Sequence, residues 1–152
     1  MLTNQRISEF LKSTKLGMAM ATRDANLKPD FCRVLGVQVV DQDHLRFFID
    51  KKSNPTSFKN LQPSAPIALT TTRADNFESY QFKGNFVKLT ECSEQDNQTI
   101  QTYLHGFNEA VVALGLGDRL VYNYPHTTPY ALLMEVKEIF EQTPKPGTGN
   151  KL

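Results

Sequence analysis

Apolar positions in this chain follow two different periods. Near the N-terminus Ile7, Phe10 and Leu11 recur at helical spacing, with Leu2 placed to staple onto Ile7 and Thr3 placed to cap the helix. From Gly17 the period shortens. Gly17–Arg23 is a short apolar strand that ends in the polar stretch Asp24–Asp30, and the valine-rich Phe31–Val40 is a second strand closed by the turn Asp41-Gln42-Asp43. Leu45–Asp50 alternates with Leu45, Phe47 and Ile49 on one face, and Ile67–Thr72 alternates more weakly. Tyr80–Leu89 puts Tyr80, Phe82 and Phe86 on one face and Gln81, Lys83, Val87 and Leu89 on the other. Tyr130–Phe140 groups Tyr130, Leu132, Met134, Val136 and Phe140.

Two helical stretches interrupt this pattern. Asn54-Pro55 supplies an N-cap and a proline at the first helical position of a small helix that ends before Pro63. Ser93 with Asp96 forms a capping box for a long helix, predicted over Glu94–Leu114. Ile100, Tyr103, Leu104, Phe107, Val111 and Leu114 make its apolar stripe, and Gly115 and Gly117 end it. The connections between the first four strands are too short for most parallel crossovers. The fold class expected is therefore mainly β: an antiparallel six-stranded split β-barrel with one long and two short helices, whose closure removes exposed edges.

Length and composition narrow the class. The chain has 152 residues, the size of one domain, so residues 1–152 are read as a single unit ending in a Pro/Gly-rich tail over 143–152. Seventeen basic residues against sixteen acidic give a net charge of +1, which provides no global field for a nucleic acid or an anionic membrane. The aromatic residues Phe47, Phe48, Tyr80, Phe82 and Phe86 have no accompanying basic groove and are assigned to the core rather than to base stacking. Cys32 and Cys92 form no CxxC pair and no metal-ligand spacing with His44, His105 or His126, so both are expected as reduced thiols, and no metal site is expected. The first residues lack the apolar stretch of a signal peptide and no run approaches a membrane span, so the expected location is cytoplasmic.

One cluster has the chemistry of an anion site. Lys51, Lys52, Ser53, Thr56 and Ser57 surround the start of the small helix, where unpaired amides, hydroxyls and ammonium groups suit a phosphate monoester, and Arg33 on a nearby strand adds a potential bidentate contact. A solvated Lys-Lys turn with ordinary capping has the same composition, so the residues alone leave both readings open. No Ser/His/Asp order, glycine-rich phosphate loop or paired carboxylates is present.

The order of these elements, with Asn60-Leu61 before Ala65-Pro66-Ile67-Ala68-Leu69, Gln81-Phe82-Lys83-Gly84 and the ending Phe140–Gly149, resembles the pyridoxamine phosphate oxidase-like split barrels, from about Gly17 to the C-terminus. The resemblance implies FMN bound at a homodimer interface, Arg33, Lys51, Lys52, Ser53 and Thr56 in its phosphate region, and Gln81 and Lys83 beside its ring or ribityl chain. Deazaflavin and haem are the alternative ligands, with His105 or His126 as candidate haem ligands. The oxidase proper opens its small helix with Arg-Lys, places its glutamine five residues before the strand glycine, and has a longer C-terminal region with tryptophan. Here Asn54-Pro55 opens the helix, Gln81 precedes Gly84 by three residues and there is no tryptophan, so oxidation of pyridoxamine phosphate itself is not expected. Two functions follow: an FMN-dependent oxidoreductase, with no side chain marked as its acid or base, or a non-catalytic module holding flavin or haem on the same barrel. The tail is expected to cross toward the partner subunit.

Overall fold

The computed structural model describes residues Met1–Leu152. It contains three helices, α1 (Gln5–Leu11), α2 (Pro55–Asn60) and α3 (Glu94–Ala113), and seven strands: β1 (Leu16–Arg23), β2 (Pro29–Arg33), β3 (Val37–Val39), β4 (His44–Asp50), β5 (Pro66–Arg73), β6 (Ser79–Glu91) and β7 (Pro129–Glu141). All pairings are antiparallel, in the order β2-β1-β5-β6-β7-β4-β3. No helix is long and apolar enough to cross a membrane.

The strand expected over Phe31–Val40 is two strands, which raises six to seven. The chain changes partners at Val34–Gly36. Val34 N–H donates to the Met18 carbonyl of β1, and Leu35 N–H then donates to the Phe48 carbonyl of β4, while Phe48 N–H donates to the Gly36 carbonyl. Gly36 makes the change at φ 130°, a conformation a side chain would strain. One extended segment thus joins the two ends of the strand order.

Two bulges correct the expected faces. Between β6 and β7 the register skips Lys137, pairing Lys83 with Glu138 and Gly84 with Val136. Beyond that bulge the inward position passes to Ile139, 2% exposed, and Phe140 turns outward instead of joining Met134 and Val136. A second skip at Val87 exposes that residue and brings Leu89 to the core side with Phe86. Gly84 belongs to the first bulge: a Cβ there would lie 1.9 Å from the Glu135 carbonyl oxygen.

The core is a continuous cluster of the inward strand residues and the helices. Ile7, Phe10 and Leu11 of α1 are buried as expected, but Asn4 rather than Thr3 caps the helix, accepting from the Arg6 and Ile7 amides. The Ser93–Asp96 capping box is present, and Ile100, Tyr103, Leu104, Phe107 and Val111 are buried, whereas Leu114 lies outside the packed stripe. Tyr103 donates its hydroxyl to the Leu16 carbonyl at 2.8 Å, and Arg46 of β4 makes a bidentate pair with Asp96 at 2.5 and 2.7 Å. The tail turns back on its own strand: Gly149 N–H donates to the Glu141 carbonyl, Leu152 N–H to that of Ile139, and Lys151 pairs with Phe140.

Candidate functional site

Side chains of a strand alternate between faces, so the sheet register fixes which residues share the outer surface. Across β2-β1-β5-β6-β7 one outward row reads Arg33, Ala19, Thr70, Gln81, Phe140, and the next reads Phe31, Ala21, Ala68, Lys83, Glu138. Arg33 and Gln81 are three strand spacings apart, roughly 14 Å. Between them the floor is alanine and threonine. Three predicted site residues, Arg33, Gln81 and Lys83, therefore flank one flat surface of small side chains. Gln81 Nε2 donates to Thr70 Oγ1 at 3.2 Å, the Lys83 ammonium stands 4.7 Å from the Phe140 ring centroid, and the Arg33 guanidinium lies 4.2 Å from that of Tyr124.

Helix α3 limits this surface at one end. A Cβ on Gly17, which shares the face of Ala19 and Ala21, would stand 3.3 Å from the Phe107 ring. Toward the β1–β2 turn the face stays open and holds a depression of about 440 Å3 between Leu27, Pro66 and Lys83, over Ala21 and Ala68. Phe31 at its edge is 73% exposed.

Lys51, Lys52, Ser53 and Thr56 lie together where β4 runs into α2, all exposed. A residue the sequence reading missed organises that junction. Asp50, 1% exposed, accepts from Ser53 N–H at 3.1 Å and Ser53 Oγ at 2.7 Å, and from Thr128 N–H at 2.7 Å and Thr128 Oγ1 at 3.0 Å. Burial alone pushes its carboxyl up, but these bonds outweigh it and hold the group below the usual carboxylate range. Thr128 also accepts from the Lys51 and Lys52 amides. The backbone and hydroxyl donors of Lys51–Ser53 are thus already engaged, which corrects the expectation that they form an open cradle. The ammonium groups remain: neither Lys51 nor Lys52 makes an ion pair, and Lys51 stands 5.2 Å from the Tyr130 ring centroid. Ser57 is buried and donates to Asp30 of β2, so α2 is tied to the strand that carries Arg33. Asp50 and Ser53 stand three positions apart, so a local acid–serine turn was the available signal; the second partner, Thr128, lies 78 positions later, where no local pattern reaches.

The other candidates separate from this surface. His105 is exposed, with Nδ1 3.0 Å from the Tyr122 hydroxyl, and His126 Nδ1 lies 2.6 Å from the Tyr124 carbonyl oxygen. Cys32 is buried and Cys92 half-buried, both free, and burial pushes each thiol up to about 11. No group of three or more His, Cys, Asp or Glu is arranged to hold a metal. Phe47, Phe48, Tyr80 and Phe82 are fully buried, as assigned. A more enclosed cavity of about 290 Å3 lies between α1 and α3, lined by Ser13, Thr14, Gln98, Thr99 and Thr102 among others, and none of the predicted site residues reaches it.

No family model and no curated protein sequence matches the chain. Solved structures do. HupZ of Group A Streptococcus is 14% identical over 97% of this chain and 98% of its own, with a TM-score of 0.56. General stress protein 26 of Bacillus anthracis is 14% identical over 100% and 98%, TM-score 0.55. A pyridoxamine 5'-phosphate oxidase-related, FMN-binding protein of Nostoc punctiforme is 16% identical over 97% and 87%, TM-score 0.54. The chain has the fold of the pyridoxamine 5'-phosphate oxidase-like proteins, as the order of its motifs suggested.

Proposed function

We propose that this protein is an FMN-binding flavoprotein on a split barrel, closed through Val34–Gly36, and that it works as an oxidoreductase. The observation that carries the reading is the outward surface of β1, β5 and β6. It is flat and floored by Ala19, Ala21, Ala68 and Thr70, with Arg33 on one side and Gln81 and Lys83 on the other. A planar three-ring system fits such a floor; the inside of the sheet is filled by Met20, Leu69 and Phe82 and leaves no room for it. The fold is shared with proteins described as FMN-binding, which supports the choice of ligand.

In this reading Gln81 and Lys83 contact the ring or ribityl chain. Arg33, with the Lys51 and Lys52 ammonium groups and the nearby Thr56, forms the phosphate region, and Ser53 shapes the turn through its bonds to Asp50. FMN supplies the redox chemistry, and the protein supplies binding and orientation. The exposed Phe31 and Leu27 border the floor and would be covered by a second copy of the chain, giving a homodimer with the flavin at the boundary.

Visible absorbance of the purified protein with and without added FMN tests the ligand. A flavin spectrum with saturable binding is expected, and no binding at micromolar concentration sinks the reading. Replacing Lys51 and Lys52 together with alanine is expected to weaken FMN at least tenfold, since each charge-assisted contact contributes about 1.5–3 kcal/mol. Unchanged affinity would place the phosphate elsewhere. Reduction of bound flavin by NADPH or NADH followed by reoxidation separates the enzyme from a non-catalytic binding module. Light scattering of the loaded protein tests the dimer, and a monomer that retains flavin rules it out.

A further inference from the structure

The cations of this chain are unevenly paired. Arg6, Arg46, Arg73, Lys137, Lys145 and Lys151 all meet carboxylates. Around the β1–β2 turn and α2 the opposite holds: neither Arg23 nor Lys59 makes an ion pair. The acids of that region are occupied internally. Asp24 Oδ1 accepts from the Asn26 and Lys28 amides at 2.8 and 2.9 Å, and Asp30 accepts from Ser57. Arg23 uses one nitrogen, Nη1, on the Asp24 carbonyl at 3.4 Å. The rest of its planar fork is free for an anion.

These two cations line one cleft. It measures about 470 Å3 and lies between the β1–β2 turn and the C-terminal end of α2; Asn26, Asn60, Gln62 and the carboxylate Asp24 line it too, with Asn60 also donating to Thr22 and Gln62 to the Lys59 carbonyl. Arg23 and Pro66 also border the outer-face depression, so the cleft and the depression are continuous. The two basic regions sit at opposite ends of α2: Lys51 and Lys52 precede it, and Lys59 is in its last turn. One phosphate cannot occupy both.

We propose that the Arg23–Lys59 cleft binds the phosphate or diphosphate group of a second ligand, a phosphorylated co-substrate whose reactive part reaches the edge of the flavin seated on the alanine floor. The co-substrate assignment rests on the flavin reading above; the anion site itself does not. Arg23 grips the phosphate bidentately, Lys59 adds a point charge, and the Asn60 and Gln62 amides lie at the cleft wall. The cleft meets that floor at Arg23 and Pro66, which is where the two ligands would approach each other.

Inorganic pyrophosphate is the probe, titrated by calorimetry with and without saturating FMN. With FMN saturating the Lys51–Lys52 region, the wild-type protein is expected to bind it at a single site, more weakly as ionic strength rises. The double variant Arg23→Gln, Lys59→Gln is expected to bind pyrophosphate at least tenfold more weakly, with FMN affinity changed less than twofold and an unaltered melting temperature. Absence of pyrophosphate binding at millimolar concentration, or equal binding to the variant, overturns the proposal. A loss of FMN affinity in the variant also overturns it, because the cleft would then hold the flavin's own phosphate. A wild-type protein that binds pyrophosphate through Arg23 and Lys59 but never binds FMN would remove the flavin reading and the co-substrate assignment, and leave the anion site standing.

Discussion

The inner and outer faces of β1, β5 and β6 are made by alternate residues of the same strands. Inward stand Leu16, Met18, Met20, Ile67, Leu69, Tyr80 and Phe82, all buried; outward stand Gly17, Ala19, Ala21, Ala68, Thr70, Gln81 and Lys83. The inner set is chosen for volume. The outer set is small, level and ringed by cations without ion pairs. Stability explains the first, since close packing needs large side chains that interlock. It does not explain the second, because a solvated strand face ordinarily carries long polar side chains. In the proposed reading that surface is the seat of the flavin.

Substitutions on the two faces should separate stability from binding. The largest stability effect is expected inside: Phe82→Ala removes a fully buried ring and should cost about 3–5 kcal/mol in urea unfolding. Asp50→Ala should cost about 2–3 kcal/mol by stranding the Ser53 and Thr128 donors. It should also weaken FMN by loosening the Lys51–Lys52 turn, and an unchanged flavin affinity would detach that turn from the site.

Acid should act through Asp96. Hydrogen bonding from Arg46 holds its carboxyl at about 2, below its ordinary value. A group depressed in the folded state stabilises above its unfolded pKa, near 3.9, and loses that contribution as pH falls through the folded value. About 2 kcal/mol should therefore disappear between roughly pH 4 and pH 2, and Asp96→Asn should lack that component in pH-dependent melting. The smallest stability effect belongs to the outer face. Ala21→Glu should change unfolding by no more than about 0.5 kcal/mol and yet weaken FMN at least tenfold. A large loss of stability there, or full flavin binding, would break the contrast between the faces.

Much of this was readable from local signals. Ser93 and Asp96 announced the start of α3, and Ile100, Tyr103, Leu104, Phe107 and Val111 its buried face, because a helix is set by contacts three and four residues apart. Asn54-Pro55 marked α2 in the same way. Gln81 and Lys83 were assigned to one face of β6 by alternation alone, and the register agrees.

What escaped the sequence depended on partners distant along the chain. Whether Phe31–Val40 is one strand or two depends on β1 and β4 competing for its backbone at Val34–Gly36. The side to which Phe140 or Leu89 points depends on bulges that exist only relative to a facing strand. The meeting of Asp50 with Thr128, the return of the tail onto β7, and the meeting of Arg23 with Lys59 in one cleft are likewise consequences of packing. The sequence by itself determined the three helices, most of the strands and their order, because periodicity and capping act within a few residues. The tertiary structure alone decided which donors stay free and which cations share a surface, because hydrogen bonds and charges are settled between segments that only folding brings together.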